Sequence, residues 1–332
     1  MTGAVPWIGG FVTARIADAT RGSTIGPISH FKEPVLKTFA ALLVGIGLLH
    51  AARAADLPSY RLGATEVRDL PARALHRDYQ LYVALPDSYA SGRQRYPVVF
   101  VTDAHYAFPV VRSIAQRLHK HAGMEDVIVV GLSYAQDDDA VFSRRRDYTP
   151  SVPRVHAYRS GMPGRAPAFG EAQAYGRYIA QEVMPFVAAH YRADMQRAIF
   201  VGHSYGSLLG LQMLFDRPRT FAHYILGSPS LWFDGGIMFD REKAYAARQR
   251  KMPASVYFGI GSTETLAAGK KRNRSEEYAD MVADLREFDG TLKAHRYAGL
   301  TTRLEVFDGE DHASVFPFLL THGLRAYLRK EK

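Results

Sequence analysis

The chain has 332 residues, 47% hydrophobic and 23% charged, the composition of a globular protein rather than of a disordered or repeat-built one. It contains no cysteine, which excludes a disulfide scaffold, a cysteine-ligated metal centre and a cysteine nucleophile. The formal charge of +9 is dispersed rather than gathered into basic blocks, which argues against a nucleic-acid partner.

The longest apolar run covers residues 39–49, too short for the ~20 residues that span a bilayer. Lys32 and Lys37 precede it, and Ala52-Arg53-Ala54 follows as a small-x-small sequence. This charge, apolar, small order predicts a secretory signal, a mature chain starting at Ala55 or Asp56, and a periplasmic or secreted location with no stable membrane span. Residues 1–34 exceed an ordinary leading region. A start at Val35 would restore normal proportions, so 1–54 reads as an upstream extension plus signal, and 55–332 as a single domain. An amphipathic or buried N-terminal helix is the plainer alternative, and a retained, uncleaved anchor also fits the segment.

Strand signals then recur. Residues 79–85 alternate in polarity, and residues 98–102 form a continuous apolar run of the kind expected for a buried parallel strand. Similar runs follow at 127–130, 197–203, 224–226, 255–260 and 304–307. Helix-period stripes lie between them: Tyr178, Ile179, Val183, Phe186 and Val187; residues 208–214; and Tyr278, Met281, Val282 and Leu285. Alternating signals of this kind predict an α/β fold, a mostly parallel sheet with helices on both faces. Residues 136–170 break the rhythm with an acidic run, an arginine run and four prolines, and read as a long loop insertion on the substrate side.

Gly202-His203-Ser204-Tyr205-Gly206 is a G-x-S-x-G sequence between a predicted strand and a predicted helix. That context predicts a sharp turn that raises the Ser204 hydroxyl and offers the Tyr205 amide as an oxyanion donor. His203 reads as a packing residue. A serine needs a base, and in this kind of sheet the order is Ser, acid, His. His312 follows directly on the last strand and is the expected base, whereas His295 and His322 read as surface or core residues. Glu264, after the strand at 255–260, is the first choice for the acid; Asp234, Asp308, Asp311 and a serine–histidine dyad without an acid stay open. The second oxyanion amide is expected from Ala104 or His105, on a loop after the strand at 98–102.

The stretches Tyr96 to Asp103, Arg146-Asp147-Tyr148-Thr149-Pro150, Gly202 to Gly206, Ser228-Pro229-Ser230-Leu231-Trp232 and Gly309-Glu310-Asp311-His312 resemble the putative-esterase family of α/β-hydrolases. That family includes esterase D-like enzymes and periplasmic trilactone-siderophore esterases. The resemblance covers residues 60–330 and departs from the usual Asp-Gly at Asp103-Ala104. It implies an α/β-hydrolase fold, Ser204 as nucleophile, His312 as base and no cofactor. It further implies an ester substrate, a siderophore lactone or another periplasmic ester, with ferric iron entering only as part of such a substrate.

By the same resemblance Arg144 and Arg146 could meet an anionic catecholate or carboxylate, and Trp232 could stack an aromatic group. A solvated cationic loop and a packed core tryptophan are the plainer readings. The basic stretch at 270–274 reads as an exposed helix start or loop. Two other activities stay compatible with the sequence: an acyltransferase on the same scaffold, and a silent ferric-chelate binding protein.

Overall fold

The structure, a computed structural model, describes residues 62–154, 158–267, 270 and 280–329. The predicted extension and signal at 1–54, the basic residues 271–274 and Tyr278 lie outside them.

Among the described residues, eight strands form one sheet: β1 (Thr65–Ala72), β2 (Arg77–Ala84), β3 (Tyr96–Val101), β4 (Ile128–Leu132), β5 (Ala193–His203), β6 (His223–Gly227), β7 (Lys251–Gly261) and β8 (Ala298–Phe307). Their order is β1-β2-β4-β3-β5-β6-β7-β8. The first two pairings, β1 with β2 and β2 with β4, are antiparallel, and all the others are parallel. Parallel neighbours require crossovers, and these are helical: α1 (Ala104–Ala122), α2 (Ala140–Tyr148), α3 (Ala172–Tyr178), α4 (Met184–His190), α5 (Tyr205–Asp216), α6 (Ile237–Ala246) and α7 (Met281–His295); a further helix, α8 (Val315–Tyr327), follows β8. A π-helical turn, Ile179–Val183, joins α3 to α4.

Both faces are covered. Val111 of α1 and Leu319, Leu320 and Leu324 of α8 pack on Val99, Val101, Ile199 and Ile225. On the other face, Ile179, Val183, Leu208, Leu211, Leu285 and Phe288 pack on Val98, Phe100, Phe200, Leu226 and Phe258. Burying each such side chain contributes roughly 1.5–3 kcal/mol, and this explains why β3 reads as an unbroken apolar run with all its residues buried.

Two parts of the fold differ from expectation. β1, which the sequence analysis did not find, carries Glu66, Arg68 and Asp69 and is mostly exposed. It is an edge strand held by an eight-residue antiparallel register with β2, so it needs little apolar content. The segment at 136–170 is not loop throughout, for it contains α2. Asp139 caps that helix, its side chain accepting from the amides of Val141 and Phe142 at 2.8 and 3.3 Å. The arginines of α2 mask its apolar stripe.

The insertion is tied to the sheet by charge. The Asp147 carboxylate accepts from Tyr79 Oη at 2.8 Å, from Arg77 at 3.2 Å and from Arg146 Nε at 2.8 Å. Arg146 also pairs with Asp138, which in turn pairs with the half-exposed Arg165. Removing one partner from a buried ionic network strands the others without compensation. Arg146→Ala is therefore expected to lower unfolding stability by ~3 kcal/mol in urea titrations. Arg165→Ala, which touches the same Asp138 from outside, is expected to cost less than ~1 kcal/mol.

Candidate active site

β5 ends at His203 and α5 begins at Tyr205, so Ser204 alone carries the change of direction. Its backbone sits at φ 58°, ψ −116°, a conformation that a residue with a side chain holds only when its surroundings impose it. Two glycines permit the turn. A Cβ on Gly202 would lie 2.4 Å from the Gly206 carbonyl oxygen, and one on Gly206 would lie 2.4 Å from the Thr102 hydroxyl. The Ser204 amide is anchored on the Gly227 carbonyl at 2.9 Å.

The close seat of Gly206 on Thr102 brings two helix N-termini together. Asp103, in the left-handed region at φ 55°, is the N-cap of α1, so the loop expected at Asp103 to Tyr106 is the first turn of a helix. Pro109 inside that helix obscured it at the level of sequence. The amides of Tyr106 and Ala107 return to the Asp103 carbonyl, and those of Ser207 and Leu208 to the Ser204 carbonyl. The amides before them, Ala104 and His105 on α1 and Tyr205 on α5, precede the helical ladders and have no intrahelical acceptor. Both helix dipoles add positive potential at this point. Such an arrangement can hold a developing oxyanion.

His312 lies in the turn between β8 and α8, and its Nδ1 is 2.6 Å from Glu264 Oε2. The other oxygen of Glu264 accepts from the Ser228 hydroxyl at 2.6 Å and from the Gly261 amide at 2.9 Å. A carboxylate at Nδ1 keeps the imidazole proton there and leaves Nε2 as the acceptor. The other carboxylates considered are committed elsewhere. Asp234 binds Ser151 and the backbone and side chain of Arg154, Asp311 caps the approach to α8 through Ala313 and Ser314, and Asp308 meets Ser262. His295 pairs with Glu242 and His322 with Glu305.

Ser204 and His312 line one cleft of about 450 Å³, together with Tyr106, Arg144, His203, Ala313 and Phe316. Arg144 reaches it from α2. Its Nε donates to Asp103 Oδ1 at 2.8 Å, its Nη2 to the His203 carbonyl at 3.2 Å, and its guanidinium lies 5.2 Å from the centre of the Tyr205 ring. Burial pulls Arg144 down, but the Asp103 carboxylate together with Tyr134 and Tyr106 outweighs it and holds the guanidinium above its ordinary pKa.

The other two expected substrate contacts do not reach the cleft. Arg146 is buried between Asp138 and Asp147, where its charge is already matched. Trp232 is 1% exposed and packs beneath the elbow, its ring 6.1 Å from that of Tyr205. Tyr106, Phe316 and Ser230, which the sequence analysis did not single out, are at the site. Phe316 stands four residues after His312 at the head of the last helix, and Ser230 sits in the Ser-Pro-Ser stretch; those two positions were the available signals.

A family model described as "Putative esterase" matches residues 72–327. The ferri-bacillibactin esterase BesA of Bacillus subtilis is 26% identical over 280 residues, covering 82% of this chain and 92% of that protein. A siderophore enterobactin esterase of Emericella nidulans is 28% identical over 271 residues, 74% of this chain and 88% of that one. Among solved structures, an IroE-like serine hydrolase from Shewanella oneidensis superposes with a TM-score of 0.67 at 24% identity over 80% of each chain. Siderophore hydrolase EstB from Aspergillus nidulans does so with 0.68 at 22% identity, over 82% of this chain and 98% of that one. The two structures share this fold.

His203 packs against His312, ring centres 4.6 Å apart, and against Phe316 at 5.8 Å. Burial, and then the nearby His312 and Arg144, hold it well below its ordinary pKa of 6.5. Below about pH 6.5 the unfolded chain therefore takes up a proton at His203 that the folded chain refuses, and stability falls with pH; above that pH the contribution vanishes. His203→Asn is expected to reduce the loss of stability between pH 7 and pH 5, whatever its offset at neutral pH. Urea titrations of both proteins at the two pH values measure the difference in slope.

Proposed function

Because the chain belongs to the putative esterase family, we propose that it is a serine esterase working through an acyl-Ser204 intermediate. The observation that carries this is one cleft holding Ser204 on a strained strand-to-helix turn and His312 with its Nδ1 on Glu264. In this reading Nε2 of His312 takes the Ser204 proton as Oγ attacks the ester carbonyl, then gives it to the leaving alcohol. Glu264 orients the ring and stabilises the imidazolium. The amides of Tyr205 and Ala104, with His105 beside it, hold the oxyanion. Water then repeats the sequence on the acyl enzyme.

For the substrate we propose an ester of an anionic siderophore. The sequence relatives named above are described as siderophore esterases. The cleft wall supports the same class, with Tyr106 and Phe316 as aromatic surfaces and Arg144 as a cation. Ferric iron would come as part of that substrate. We also read the chain as exported, with residues 35–54 as the signal and residues 55–332 as the mature domain. N-terminal sequencing of protein from a secreting host is expected to begin at Ala55 or Asp56; an N-terminus at Met1 would remove the export reading.

The purified chain is expected to react with a fluorophosphonate probe and to turn over p-nitrophenyl acetate and a ferric trilactone. Ser204→Ala should abolish labelling and lower turnover by roughly 10⁴-fold or more. Glu264→Gln presents a donor where His312 needs an acceptor, and a loss of comparable order, roughly 10⁴-fold in kcat, is expected. A folded wild-type chain that takes no label would overturn the serine-esterase reading.

A further inference from the structure

Ser204 Oγ lies 3.1 Å from the hydroxyl of Ser230. Ser230 has no exposed surface, and among the described residues this is the one side-chain hydrogen bond its hydroxyl makes. The segment that carries it is firmly set. The Ser228 amide donates to the Gly259 carbonyl at 2.9 Å, the Leu231 amide to the Pro229 carbonyl at 2.7 Å, and the Phe233 amide to the Ser230 carbonyl at 2.9 Å. Leu231, Trp232 and Phe233 are buried directly after it. Ser228, at a positive φ of 39°, gives its own hydroxyl to Glu264. One short segment thus touches the candidate nucleophile at one end and the candidate acid at the other.

Either hydroxyl can donate in the resting Ser204–Ser230 pair. A buried hydroxyl proton finds an acceptor, and the acceptor within reach of Ser230 is Ser204 Oγ. Once a base has taken the Ser204 proton, or the carbon–Oγ bond breaks, Ser204 Oγ has only lone pairs to offer, and Ser230 is then the donor.

We propose that Ser230 is a further catalytic hydroxyl, one that stabilises Ser204 Oγ as a leaving group when the acyl enzyme breaks down. The inference rests on the serine-esterase reading. In deacylation, His312 takes a proton from water, the water oxygen forms a bond to the acyl carbon, and the carbon–Oγ bond breaks. The electron pair goes to Oγ, and the proton held on His312 follows it there. Ser230 transfers no proton; its hydrogen bond stabilises the negative charge growing on Oγ. An aryl ester does not need this help in acylation, because p-nitrophenolate leaves unaided, and a hydrogen bond donated to Oγ slightly dulls its attack. The two half-reactions therefore respond differently to loss of the hydroxyl.

Stopped-flow measurement of p-nitrophenyl acetate turnover separates them. For Ser230→Ala the expected result is a burst of p-nitrophenolate close to one equivalent, an acylation rate equal to or above that of the wild type, and a deacylation rate lowered about tenfold, the worth of one neutral hydrogen bond. The acetylated protein should accumulate by mass spectrometry. Ser230→Cys keeps the shape of the side chain, with a larger atom that is a poor donor, and should behave alike, which keeps the test open if the alanine variant fails to fold. Equal losses in both steps would reassign Ser230 to structural support and overturn the proposal, as would an unchanged deacylation rate. Failure of the underlying reading shows separately, as a wild-type chain that takes neither fluorophosphonate nor acetyl.

Discussion

The site depends on the close approach of two helix N-termini across the carboxyl ends of β3 and β5. Gly206 lies so near Thr102 that any Cβ would collide with its hydroxyl, and this contact joins the start of α5 to the start of α1. The strained backbone of Ser204 follows from it, because the chain must reverse between a fixed strand and a fixed helix in one residue. The convergence of amides at Ala104 and Tyr205 follows as well. Asp103 sits at the join with Oδ1 shared between Tyr134 and Arg144. A buried carboxylate there is stabilised by the positive ends of the helices and by the guanidinium.

The insertion between β4 and α3 secures this arrangement from the side. Its Arg146-Asp147-Tyr148-Thr149 stretch places each residue against a different part of the frame. Arg146 and Asp147 bind each other beside Tyr79 and Arg77 of β2, the Tyr148 hydroxyl accepts from the Asp103 amide at 3.3 Å, and Thr149 Oγ1 accepts from the Gly170 amide at 2.9 Å. Among the described residues of the insertion only Arg144, two residues earlier on the helix, turns into the cleft. Desolvating so many charges yields little net stability. It does fix one geometry, since each alternative leaves a buried charge unmatched. The polar composition that made this segment look like a loop is the means by which it is anchored.

The opposite side of the cleft is built from shorter connections. The turn after β6 supplies Ser228 and Ser230, the turn after β7 supplies Glu264, and the turn after β8 supplies His312. Glu264 is held by two donors on one oxygen and by His312 on the other, so its carboxylate has little freedom to rotate. A parallel sheet delivers all of these turns to the same edge, and that is why residues separated by more than a hundred positions in the chain meet there.

The sequence by itself determined the sheet's central strands, because the part of a strand covered on both faces reads as a continuous apolar run. It also determined the elbow, because its two glycines flank a serine between a strand and a helix. The order of serine, acid and histidine brought out His312 and put Glu264 first among several carboxylates. The edge strand β1, with one face open to water, left no such trace, and α1 and α2 were hidden by a proline and by arginines. The tertiary structure decided which carboxylate meets His312, since Glu264, Asp234, Asp308 and Asp311 all stand at turns and only pairing distances separate them. It likewise decided that Arg144 faces the cleft while Arg146 and Trp232 are buried. A residue type states which interactions a side chain can make, and the packing around it selects the one it does make.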